Sequence, residues 1–179
     1  KSTDGGNTFN QNVNFGYDHP WHVDQHSVKF QNGVLYTAND GGIYRALDDI
    51  NRFESLNTGL NITQFYQLSL SPFDSNKLIA GSQDNGGFYY DNGQWDRWTG
   101  GDGMDNAISY VQEGLYYQFL QGGISLQVSE NFGEWPKYSV PPPQKENGQN
   151  YQGLWVAPLE ISLTDELYSS FENALFQLD

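Results

Sequence analysis

Apolar and polar positions change places every residue or two along this chain, in short runs that end at Gly, Asn or Asp. Such a period-two pattern, bounded by turn formers, predicts half-buried β-strands joined by tight turns. Four stretches share one layout of β-rich run, turn and second β-rich run: Gly33 to Tyr44, Lys77 to Tyr89, Gly114 to Ser125 and, more loosely, Glu166 to Phe176. An apolar strand is expected before each of them, at His26 to Phe30, Phe65 to Leu70, Ala107 to Val111 and Leu154 to Ile161. Helical periodicity is nearly absent.

The aromatic residues that close each unit, Phe9, Phe53, Trp95 and Trp135, are spaced by 40 to 44 residues. That is the period of a four-stranded propeller blade. The expected fold class is therefore all-β, a β-propeller of four-stranded antiparallel blades, with about four blade equivalents and as part of a larger ring. Residues 1–179 read as one propeller portion. Within it, 1–14 is the outer strand of a preceding blade, 26–57, 63–99 and 104–139 are blades, and 151–179 is an incomplete blade. Residues 140–150, with Pro141 to Pro143, read as a Pro-rich surface loop.

Composition narrows the function classes. Eight Lys and Arg against 22 Asp and Glu give a net charge of −14, which repels phosphate backbones and anionic lipid and argues against nucleic-acid partners. No apolar run approaches the ~20 residues of a membrane helix, so membrane insertion is not expected. The absence of cysteine excludes a disulfide scaffold, a thiol nucleophile and Cys-ligated zinc. The chain starts without Met or a signal-like segment, and the rest of a larger parent chain is expected as its neighbour.

Ser2, Asp4, Gly6, Thr8 and Phe9 form the pattern Ser-x-Asp-x-Gly-x-Thr-Phe. In it the Asp4 carboxylate is expected to accept local N–H bonds, Gly6 to permit positive φ and Phe9 to tuck under its blade. The pattern resembles the Asp-box, or BNR repeat, of sialidases, xyloglucanases and sortilin-type propellers. The strings His22 to His26, Asn39 to Arg45, Leu60 to Tyr66, Gln83 to Gly86 and Gly100 to Met104 are similar to those of secreted bacterial propellers of the sortilin and xyloglucanase-like superfamily. This resemblance implies an extracellular or cell-surface location. It also implies a binding or scaffold module for a protein or polysaccharide ligand, with a glycoside hydrolase as the alternative.

Strand alternation places the loops between second and third strands on one face with the loops that lead into each first strand; the Asp-box turns fall on the opposite face. The first face gathers the candidate ligand-binding residues Asn39, Gln83, Asn85 and Asp105, with Tyr44 among the surrounding aromatics. Asp40, Asp84 and Asp102 are the candidate catalytic carboxyls. Asp40, in Asn-Asp-Gly-Gly-Ile-Tyr-Arg, is similar to the position of one catalytic Asp in xyloglucanases, whose partner comes from a second propeller; Asp84 and Asp102 are the in-chain candidates for that role. His22, Asp24 and His26 alternate, so on an extended segment they point to one side and suit a divalent metal. Ca or Zn is the cofactor considered. The reading preferred for the same three residues is a hydrogen-bonded cluster that fixes the start of the first strand, with Asp24 bonding an imidazole.

Other chemistries lack their parts. Sialidases clamp a substrate carboxylate with three arginines. Here the arginines are Arg45, Arg52 and Arg97, and the latter two fall away from the candidate face. No Gly-x-Ser-x-Gly elbow is present, and Gly100 to Gly103 lacks the Lys of a phosphate loop.

Overall fold

The computed structural model describes residues 2–10, 22–47 and 52–178. The described residues form four antiparallel sheets in an all-β fold, with a single 3-10 turn at Gln121–Gly123. The chain divides into two compact units, Lys1–Ile62 and Thr63–Asp179.

The described residues of the first unit form one sheet: β1 (Gln25–Gln31), β2 (Val34–Asn39), β3 (Gly42–Leu47) and β4 (Arg52–Ser55), paired in chain order. Asn32 and Gly33 join β1 to β2 with φ of 52° and 80°, the mirror-type turn whose twist matches a hairpin. Beyond β4 the chain folds back on the start of β3. Asn57 donates from Nδ2 to the Gly41 carbonyl at 2.6 Å and accepts the Ile43 N–H through Oδ1 at 2.8 Å.

The second unit contains three sheets. The second sheet is β5 (Phe65–Leu70), β6 (Lys77–Ser82), β7 (Gly86–Asp91) and β8 (Gln94–Arg97). The third is β9 (Gly103–Ile108), β10 (Tyr116–Leu120), β11 (Leu126–Ser129) and β12 (Tyr138–Val140). The fourth has β13 (Leu159–Ile161), β14 (Leu167–Phe171) and β15 (Ala174–Leu178). Each follows chain order, and the first strands lie side by side, with β9 against β5 and β6, and β13 against β9. Ser69 Oγ donates to the Asn106 carbonyl at 2.7 Å, and the Asn106 side chain donates to the Gln67 carbonyl at 3.2 Å. A groove of about 330 Å³ runs along these strands, lined by Leu68, Leu70, Asn106, Ile108, Leu159 and Ile161.

Two cores fill the spaces between these sheets. Between the second and third, Trp98 and Tyr116 are fully buried and meet edge to face at 4.5 Å, with Ile79 and Ile108 around them. A Cβ on Gly81 would lie 2.0 Å from the Met104 carbonyl oxygen, so only glycine admits this approach of β6 to β9. Between the third and fourth, Phe119 and Phe171 cross at 5.8 Å among Met104, Ala107, Leu126, Val128, Ala157, Leu159 and Leu167.

Several boundaries differ from the sequence expectation. β5 coincides with Phe65 to Leu70, but β9 starts at Gly103 and stops at Ile108, where Val111 was the expected end. Ser109 ends it: its hydroxyl oxygen accepts the N–H groups of Val111 and Gln112 at 3.1 and 2.6 Å and bends the chain. β13 is confined to Leu159–Ile161, because Gly153 and Trp155 are bonded to Gly122 instead. Residues 2–10 contain no strand, and residues 11–14 of the expected outer strand lie outside the described residues. Phe9 is 76% exposed, not tucked under a sheet. The Pro-rich stretch carries a short bridge, Gln144 with Asn150.

Candidate functional site

In the second unit, the loops between second and third strands meet the loops that enter each first strand, and a chain of hydrogen bonds runs along this rim. The Asp84 N–H donates to Asp102 Oδ1 at 2.8 Å, and the Asp102 N–H to Gln121 Oε1 at 3.3 Å. Gly122 N–H then donates to the Trp155 carbonyl at 2.9 Å, and Gly153 N–H to the Gly122 carbonyl at 3.2 Å. Each turn is thereby held by its successor. Asp84 carries φ of 60° and Gly86 φ of 82°, which sets the β6–β7 turn from which the Asp84 N–H reaches the neighbouring loop.

Two aromatic side chains close this rim. The Trp155 indole N–H donates to the Tyr66 hydroxyl at 3.1 Å, although the residues stand 89 apart in the chain. Trp155 remains 56% exposed. The bond fixes the ring plane while leaving the ring open to a ligand, the arrangement that suits stacking on a sugar or an apolar side chain. Farther along, Glu172 Oε1 accepts Lys145 Nζ at 2.6 Å and the Gln152 N–H at 3.2 Å, and these two donors hold its carboxyl below the usual range. Gln83 and Asn85 share the β6–β7 turn, where the Asn85 backbone N–H donates to the Gln83 carbonyl at 2.7 Å and its side-chain Nδ2 to the same oxygen at 3.1 Å.

Asp105 has a different job. It sits on β9, where Oδ2 accepts the Leu159 N–H at 3.0 Å and Oδ1 the Asn106 N–H at 2.9 Å, which joins β9 to the start of β13. Burial pushes its carboxyl above the ordinary value despite those donors, and the charge of Glu160 adds to the push.

The first unit holds the remaining candidates. Asn39 is 7% exposed; its Nδ2 donates to the His22 carbonyl at 3.1 Å and its Oδ1 accepts the Gly41 N–H at 3.0 Å. Tyr44 is 5% exposed and donates its hydroxyl to the Gly41 carbonyl at 3.0 Å, and burial raises its phenol pKa. Both side chains build the β2–β3 turn from within. Asp40 on that turn pairs with His26 Nε2, so it is Asp40 and not Asp24 that bonds an imidazole. Asp24 has φ of 58° and precedes β1, which interrupts the alternation expected of His22, Asp24 and His26. Among the described residues no three His, Cys, Asp or Glu side chains gather closely enough to hold a metal ion.

The turn at Ser2 to Phe9 bonds to itself. Asp4 Oδ1 accepts the Thr8 N–H at 2.9 Å and the Ser2 hydroxyl at 2.8 Å, Oδ2 accepts the Thr8 hydroxyl at 2.6 Å, and Ser2 Oγ accepts the Gly6 N–H at 2.8 Å. The Thr8 donors, followed by Ser2, lower the Asp4 carboxyl to about 2. A related string, Ser129 to Trp135, spans the β11–β12 connection, where the buried Tyr116 hydroxyl donates to the Asn131 and Glu134 carbonyls and accepts the Gly133 N–H at 3.0 Å.

Sequence reasoning missed Trp155 and Tyr66 as a pair, and also Ser71, Ser109 and Ser162. Each of these serines follows a first strand and accepts N–H groups two or more residues on. The signal was there: a Ser directly after the apolar run, opening Ser-Pro-Phe-Asp, Ser-Tyr-Val-Gln and Ser-Leu-Thr-Asp. At the opposite end from the rim, Asp165 accepts the Tyr110 N–H at 2.7 Å and the Ser109 hydroxyl, tying the β13–β14 turn to the β9–β10 turn. Comparison with protein-family models and with curated proteins finds no match.

Proposed function

We propose that the chain is a portion of an Asp-box β-propeller that works outside the cell as a binding or scaffold module, taking a protein or polysaccharide ligand on the rim of its second unit. The self-bonded Ser2 to Phe9 turn and the run of sheets with adjacent first strands support the propeller reading. One observation carries the functional reading: a half-exposed Trp155 whose indole is locked by Tyr66, on a rim whose backbone is already bonded from Asp84 to Gly153. A surface fixed before the ligand arrives loses little conformational freedom on binding. The chain's net charge of −14 favours neutral or basic ligands over anionic ones.

The test is binding of the immobilised chain to a panel of neutral polysaccharides and secreted proteins, with folded state followed by circular dichroism. Trp155→Ala and Asp102→Asn are expected to weaken binding by about tenfold or more each, the loss typical of an interface anchor. Glu113→Gln, on the exposed β9–β10 turn at the other end, is expected to leave it unchanged. Binding that survives both rim substitutions would overturn the reading, and release of new reducing ends from a polysaccharide would turn it toward hydrolysis.

A further inference from the structure

We draw no further inference here: the strongest candidate, the aromatic face of the second sheet formed by Phe65, Phe88, Tyr90 and Trp95, is a sheet face, and nothing in the structure shows what covers it.

Discussion

The two junctions within the second unit join similar sheets by different physics. Between the second and third sheets the core contact is aromatic, Trp98 on Tyr116, Tyr89 on Phe132 and Lys77 over the Phe132 ring at 5.4 Å, with Thr99 donating to the buried Gln118 amide oxygen at 3.1 Å and one carboxylate, Asp102, accepting the Asp84 N–H at the rim. Between the third and fourth sheets the core is phenylalanine and aliphatic, and its side-chain polar links include the carboxylates Asp105, to Leu159, and Asp165, to Tyr110 and Ser109. The first junction has one carboxylate link, at its rim, and the second has two, at Asp105 and Asp165. Sheets of one design can therefore be stacked with different responses to acid.

The largest effect is expected at the charged junction's apolar centre. Phe171→Ala opens a cavity against Phe119 and Phe176, and a loss of about 3–5 kcal/mol is expected in urea unfolding. At the aromatic junction the sharpest disruption comes from adding a methyl group. Gly81→Ala drives a Cβ into the Met104 carbonyl and is expected to cost about 3 kcal/mol, whereas Gly100→Ala, with open space around it, changes the midpoint little. Comparable midpoints for these two alanine variants would remove the close approach from the explanation.

Charge is isolated by smaller changes. Asp165→Asn keeps a residue that tolerates φ of 68° but replaces a charged acceptor, and a loss of about 1 kcal/mol is expected, with faster exchange of the Tyr110 N–H. Asp105 gives a pH signature. Its folded pKa lies above the ordinary 3.8, so the folded state holds the proton more tightly than the unfolded one. Its contribution is thus fully present below that value and is lost as pH rises through the folded pKa. Asp105→Asn removes this dependence: measured as the difference from the parent protein, the substitution is expected to cost most in acid and progressively less toward neutrality. A difference independent of pH would contradict the burial assigned to this carboxyl. The smallest effect is at Asp4, whose pKa of about 2 places the loss of its turn bonds at the acid extreme. The turn's bonds are fully present above 3.8 and lost as pH falls through about 2. Titration of the carboxyl by NMR reads this directly.

The strand layout was legible because strands leave a period-two trace and their turns need Gly, Asn or Asp, as at Asn32-Gly33 and Asn92-Gly93. What escaped was decided by partners distant in sequence. Ala107 to Val111 is apolar at every position but Ser109, yet the hydroxyl of Ser109 and the carboxylate of Asp165 claim its second half for a turn. Trp155 was read inside the strand Leu154 to Ile161; its carbonyl bonds Gly122 and its ring bonds Tyr66, contacts that no local pattern encodes. Asn39 and Tyr44 were assigned to ligand on polarity and position alone. Their bonds to His22 and Gly41 show how a turn uses its own polar groups before any reach a surface.

A rim that is rigid and preformed from Asp84 to Trp155 must hold its bonded protons against exchange. Site-resolved hydrogen exchange of the Asp84, Asp102 and Gly122 amides and of the Trp155 indole N–H tests it most directly. Protection of roughly a hundredfold over an unstructured amide is expected. Asp102→Ala is expected to abolish protection at Asp84 while leaving Gly87, held by Thr99 at 2.7 Å, unchanged. Rim protons that exchange at unstructured rates while the sheets stay protected would contradict it.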